Sequence, residues 1–502
     1  MNRVRALIFF VIGRGLQFAG CRSQEMLCSL TRHLPLATYY KITIALVLLF
    51  VSLTLGTPTT TAQTDDNEVT ISAEDLATAV SEANPGDIIN VKGGTFYGSL
   101  TIDTPLILNG IDWPVVDGEN DGTVITINAP HTTIRGFVIR NSGQSLDQEN
   151  SGIAVETNDI LLENNRFEDT LFGIYAKYGH NSIFRNNIIS SKDLEVQRRG
   201  DPIRIWYSND VLIEDNKINL GRDVVLWYSE RLTIENNEVS NGRYGLHFMY
   251  CDDAYIHNNL LINNSVGAFM MYSRRVHIDG NTIANNRGPS GFGIGLKDMD
   301  NAVIENNLLL DNRIGIHLDT TPREVDSTAE YTNNVFAYND IGVQMMPSIR
   351  NNHFQANSFV ENEEQVAVAG GGILRDNEWT INDQGNYWSD YAGYDAAADG
   401  LGDIPYKSEK LFENMMAENP ELRLFLHSPA VNAIDFAAKA FPLVRPQPKL
   451  EDTQPLMAPV VPHDVPTLPQ PSRLGGIWSG LILILLATGI ILLPKMRMQI
   501  RH

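Results

Sequence analysis

The sequence predicts an all-β fold, a right-handed parallel β-helix solenoid with an N-terminal capping helix and short C-terminal helices. Three observations carry that reading. First, a seven-residue phrase recurs about every 22 residues, beginning at Gly152, Gly173, Pro202, Asp223, Gly245, Gly267, Gly293, Gly315 and Gly342. Second, its columns alternate. Position two reads Ile153, Ile174, Ile203, Val224, Leu246, Ala268, Ile294, Ile316 and Val343, and position four is equally apolar from Val155 to Met345. Apolar columns at a period of two describe a strand with one buried face, repeated once per coil. Third, asparagines recur in pairs such as Asn164-Asn165, Asn186-Asn187, Asn236-Asn237 and Asn258-Asn259. Coils stacked roughly 4.8 Å apart place such side chains in an amide ladder. Short strands without intervening helices favour a parallel β-helix over a sandwich, and the crossover preference gives the right hand.

The elements follow in order. Residues 1–63 read as a presequence: Lys41, an apolar run over 42–55, then small residues ending at Ala62. Residues 72–84 form an amphipathic helix, with Ser72 as its cap and Leu76, Ala79, Val80 and Ala83 on one face. Such a helix covers the open edge of the first coil. Strands follow at 88–91, 100–102, 106–108, 124–127 and 133–139, and the β-helix as a whole occupies 64–380. Residues 381–441 hold an aromatic turn, a glycine-rich acidic loop and helical periodicity over 408–440, expected to cap the far end or to dock on a partner. In the acidic loop, Asp395, Asp399 and Asp403 surround Gly400, but Ala397 takes a position where calcium needs an oxygen. The loop therefore reads as a turn and calcium is not expected. Residues 442–473 form a proline-rich linker, with nine of the 23 prolines between 442 and 471, and read as an extended spacer. Residues 477–493 carry no charge, so 474–494 is long enough to span a bilayer, and Lys495, Arg497 and Arg501 put the 495–502 tail in the cytoplasm.

The net charge of −22 is unevenly distributed. Both ends are basic, which leaves the body near −30. That surface excludes nucleic acid as a partner. Two of the three cysteines, Cys21 and Cys28, lie in the presequence, so Cys251 has no internal partner in the mature chain. It takes the place of Ser208, Ser229 and Ser273 in other coils and reads most plainly as a small turn residue.

Columns three and five of the phrase point outward, where water should dictate polar residues. Instead they present Trp206, Trp227, His247, Met249, Phe269 and Met271 over four consecutive coils. Such a patch marks a contact surface. Column six adds Tyr207, Tyr228, Tyr250 and Tyr272, a stacked ladder. His247 and Met249 share a face, and Met271 is one coil away. One imidazole and two thioethers suit Cu(I), with Cys251 near enough to join them. A docking surface without metal explains the same residues. Arg204, Arg222, Asp223, Lys297, Asp298 and Asp319 share this face and leave open a carbohydrate-binding or uronate-modifying β-helix.

The ordered phrases resemble the NosD family of nitrous oxide reductase maturation proteins. The similarity runs through 204–208, 224–229, 242–250, 266–273 and 293–298, and on through 385–390, 428–430, 435–438 and 455–457, covering about 70–460. The resemblance implies a periplasmic, non-enzymatic protein; the C-terminal span, which family members need not carry, would anchor this one to the inner membrane. It implies as partners an ABC transporter's membrane subunit and ATPase, a copper chaperone lipoprotein and nitrous oxide reductase. It also implies copper handling, with His247, Met249 and Met271 matching the family's outer motif, and Trp206, Trp227 and Phe269 forming the partner surface.

Overall fold

The phrase forms one side of a three-sided solenoid. The computed structural model describes residues 68–441 and 447–469. The presequence, the apolar run 474–494 and the tail lie outside the described residues, among which no helix is long and apolar enough to cross a membrane. Three parallel sheets of 12, 13 and 13 strands share about thirteen coils. The phrase sheet runs from Leu100–Ile102 to Glu364–Val368, the second from Glu68–Ser72 to Asn352–Gln355, and the third from Thr95–Tyr97 to Tyr387–Trp388.

Every residue of phrase columns two and four is buried to 2% exposure or less, so the predicted core is the observed one. At the turn after each second-sheet strand, Asn side chains form a ladder from Asn165 to Asn386, each Nδ2 donating to the next Oδ1 at 2.9 to 3.3 Å. These amides also satisfy backbone groups at a sharp corner, where an orphan would cost about 1–3 kcal/mol. The first Asn of each pair adopts φ between +53° and +56° at Asn164, Asn186, Asn236, Asn258, Asn306 and Asn333, a conformation asparagine tolerates better than most residues. A second ladder, from Asn286 to Asn362, repeats the device at another corner. The 133–139 strand divides into Thr133–Arg135 and Val138–Arg140 at Gly136, whose φ is +81°.

At the N-terminal end the helix is shorter than expected, a 3-10 turn Ala73–Asp75 leading into Leu76–Glu82. Leu76 and Val80 are buried and Ala79 and Ala83 pack on the core, as the periodicity predicts. Ser72 departs from the cap reading. It ends the strand Glu68–Ser72, and its hydroxyl donates to Asp75 Oδ2 at 3.0 Å rather than accepting a helix N–H.

At the far end, Trp388 stacks between Phe359 and Tyr406 at 4.3 Å from each, closing the core. The helices Leu411–Glu418 and Pro429–Ala440 cap the last coil. Buried Lys449 Nζ lies 2.6 Å from Glu364 of the last phrase strand and 2.9 Å from Glu413 of the first helix, and Arg423 holds the other Glu364 oxygen at 2.7 Å. Leu424, Phe425, Phe436 and Phe441 nevertheless stay 56 to 87% exposed. In the acidic loop the Asp395 carboxylate accepts the N–H groups of Asp399 and Gly400, and Asp403 accepts that of Ala396, so these carboxylates hold the turn itself.

The proline-rich stretch is extended as expected, but it is not a free spacer. It turns back along the outside of the third sheet, where Ser358 Oγ donates to Val460 O at 2.7 Å and Thr282 Oγ1 to Pro466 O at 2.6 Å.

Candidate functional site on the phrase sheet

Glycine opens most phrases because the coils approach closely there. A Cβ on Gly245 would collide with the carbonyl of Gly267, and one on Gly293 would lie 2.6 Å from that of Gly315. Only Pro202 and Asp223 break the rule. At Asp223 the pairing slips by one residue, Asp223 facing Tyr244 while Val225 faces His247, so a bulge falls between these coils. The bulge brings the Asp223 carboxylate to the centre of the patch.

There Arg243 clamps both carboxylate oxygens, Nε donating to Oδ1 at 2.8 Å and an NH2 hydrogen going to Oδ2, which also faces His247 Nδ1 at 3.3 Å. Burial pushes the Asp223 carboxyl up, but the hydrogen bonds from Arg243 and His247 outweigh it and hold the group below its usual range. An ionised carboxylate only accepts, so Nδ1 carries the proton and Nε2 is the lone-pair nitrogen of His247. The ring is fixed edge-on between Trp227 at 5.4 Å and Tyr244 at 4.9 Å. One coil earlier, buried Asp201 pairs with Arg222 at 3.1 Å. Its burial raises the carboxyl to about 6 despite the guanidinium.

Column three is therefore outward-pointing but covered. Tyr175, Val225 and His247 are buried. The side chains just before each phrase fold over them: Tyr244 on His247 and Phe269, and Phe292 on Phe269 and His317. Phe269 packs against both Tyr244 and Phe292 yet stays half-exposed, as Trp206 and Trp227 do. Column five stays half-exposed, and Trp206, Trp227, Met249, Met271 and Lys297 form one in-register row across five coils. Beside it, Tyr207, Tyr228, Tyr250 and Tyr272 stack at 5.0 to 5.1 Å, and Tyr178 extends the ladder at 5.8 Å.

His247 and Met249 sit two apart on one strand, and Met249 pairs in register with Met271 of the next coil. Two thioether side chains on adjacent strands spaced about 4.8 Å, beside an imidazole oriented by a carboxylate, are donor types that a soft cation takes. Cys251 does not join them. It is fully buried, its thiol donates to Leu226 O at 3.0 Å, and burial pushes its pKa to about 12. It continues the serine ladder, its own N–H donating to Ser273 Oγ at 2.9 Å.

Arg204 is enclosed by Phe172, Tyr175, Trp206 and Trp227, each ring within 5.8 Å of its guanidinium carbon. Its Nε and the indole Nε1 of Trp206 and Trp227 are buried without a hydrogen-bond partner among the described residues. A buried donor without a protein partner is uncommon, and three of them fall in this one patch. Asp319, by contrast, is paired with Lys297 at 3.0 Å, so the acids Asp201, Asp223 and Asp319 all serve cations of the same face.

Residues 186–393 match the family described as "Periplasmic copper-binding protein (NosD)". The "Probable ABC transporter binding protein NosD" of Pseudomonas aeruginosa PAO1 is 31% identical over 407 residues, covering 76% of this chain and 92% of that relative. The chain belongs to the NosD family. The Stutzerimonas stutzeri protein of the same description is 34% identical over 125 residues, 25% of this chain and 28% of that one. Among solved structures, the A-module of Azotobacter vinelandii mannuronan C-5 epimerase AlgE6 is similar at 12% identity and a TM-score of 0.40, over 61% of this chain and 91% of the module. The family is described as periplasmic and copper-binding, and its relatives as transporter binding proteins.

Proposed function

We propose that this NosD-family protein is a periplasmic, non-catalytic subunit working with an ABC transporter, and that its phrase-sheet patch receives copper and passes it on. The recipient is nitrous oxide reductase, whose copper–sulfide centre requires it, and the donor is a lipoprotein chaperone. The observation that supports this best is the paired Met249–Met271 row beside His247, whose Nδ1 is already engaged by Asp223. The thioethers and Nε2 would hold Cu(I) as cargo. Trp206 and Trp227 flank the row with unpaired N–H donors, which suits a protein partner pressing on the same face.

The C-terminal cap supports docking on the transporter's membrane subunit, since Leu424, Phe425, Phe436 and Phe441 leave large apolar surface exposed. The run 474–494 would hold the body at the inner membrane. In a strain lacking this chain, the wild type should restore a copper-loaded reductase, whereas His247→Ala/Met249→Ala/Met271→Ala should yield reductase without its copper–sulfide centre. A fully loaded enzyme from the triple variant would overturn the assignment. Docking is tested with Leu424→Glu/Phe436→Glu rather than by deleting the helices, because they complete the last coil. Undiminished co-purification with the membrane subunit would refute it.

A further inference from the structure

Outward positions of the third sheet change character along the solenoid. On the strands Ile188–Ser191, Lys217–Asn219 and Glu238–Ser240 they are Ile188/Ser190, Lys217/Asn219 and Glu238/Ser240. From Leu260–Ile262 onward they become Leu260/Ile262, Thr282/Ala284, Leu308/Leu310, Val335/Ala337 and Ser358/Val360. Eight of these later residues, six of them apolar, are buried although they point away from the core.

What covers the upper part of this stripe is the proline-rich strap. It is fastened near Ser358 through Val460, and six residues later near Thr282 through Pro466. Leu468 then packs on the cluster of Leu260, Ile262 and Ala284. Between the fastenings, residues 460–464 border a cavity of about 510 Å³ against the turns at His257 and Asp279. The hold is therefore concentrated at Val460 and at 466–468. The apolar stripe begins on the coil where the described strap ends.

That coil is also the one carrying His247 and Met249. Tyr244–Met249, Tyr255–His257 and Leu260–Ile262 are its three strands, and Met271 and Thr282 lie on the next coil. We propose that the strap is a tether-shortening clamp, which holds the third-sheet side of the solenoid toward a lipid surface at the level of the copper patch. The proposal rests on the reading of 474–494 as a membrane span. Undocked, the 19 residues between Met457, still held by Gly400 O, and Ile477 would form a leash of about 60 Å at ~3.1 Å per residue. Docked, Leu468 leaves only eight residues before Ile477 at the start of the apolar run, about 30 Å at full extension. The patch, on a different sheet of the same two coils, then stays open sideways yet within reach of membrane-bound partners, which raises their effective concentration.

The test uses the full chain in vesicles of phosphatidylethanolamine and phosphatidylglycerol. A fluorescent label at Lys217→Cys on the third sheet is compared with one at Lys177→Cys on the phrase sheet, for energy transfer to lipid-borne acceptors. The third-sheet label should transfer more strongly. Leu468→Asp should abolish that difference, and a Thr282→Cys/Pro466→Cys disulfide should restore it in the same background. If the chain does not float with the vesicles, the membrane-span reading fails and the clamp with it. If it floats but the two labels transfer equally, or Leu468→Asp changes nothing, the clamp is refuted while the tether stands.

Discussion

On the third sheet, outward apolar residues from Leu260 to Val360 lie under a return of the same chain, with the strap's carbonyls accepting from Thr282 and Ser358. On the phrase sheet, Trp206, Trp227, Met249 and Met271 lie half-exposed, with buried indole and guanidinium donors left unpaired beside them. Both faces defy the rule that a solenoid's outer columns are polar. The first is covered by another part of the chain and the second, among the described residues, is not, which under the proposed function separates structural apolar surface from surface offered to a partner.

The sharpest way to break the comparison is at the root of the strap. Lys449→Met would leave Glu364 to Arg423 and Glu413 to Lys410 alone, a loss of about 3 kcal/mol in chemical denaturation. Adding Glu413→Gln should recover part of it. On the phrase sheet, Asp223→Ala should cost less, about 2 kcal/mol, because Arg243 is partly exposed and can turn to water. Trp227→Ala inverts the pattern. Stability should change by under about 1 kcal/mol, while affinity for the partner falls tenfold or more, as for a central aromatic anchor. A comparable stability loss with unchanged partner affinity would make this face structural too.

A further difference between the faces is a pH dependence at Asp201. Its carboxyl is raised in the folded state to about 6 from 3.8. The folded protein therefore holds this proton more tightly, so the contribution is full below 3.8 and is lost as pH rises through about 6. The difference in stability between wild type and Asp201→Asn should slope across that window and be flat above it. A flat difference throughout would mean that Arg222 compensates the buried charge fully.

Much of this was legible in the sequence, for identifiable reasons. A period of two fixes which side chains point inward, so columns two and four name the core, and a constant coil length stacks Asn on Asn and Tyr on Tyr. The same period gives direction but not cover, so it could not reveal that Tyr244 and Phe292 fold over His247 and Phe269. Asp223 and Arg243 were missed as the groups that orient His247, because their meeting depends on a bulge. The available signal was Pro202 and Asp223 replacing the opening glycine. Proline content likewise predicts an extended backbone without saying what it lies on, and the clue there was the third-sheet outer column turning apolar at Leu260. Cys251 sits where the sequence puts it, and burial alone removes it as a ligand.

The most direct test of copper handling is an anaerobic Cu(I) competition titration of the protein beside His247→Ala/Met249→Ala/Met271→Ala, with Asp223→Asn as a third sample. Stoichiometric binding by the wild type, lost in the triple variant and weakened in Asp223→Asn by about 10- to 100-fold, is the predicted result. Equal affinity in the wild type and the triple variant would contradict the account and leave the phrase-sheet patch as a docking surface alone.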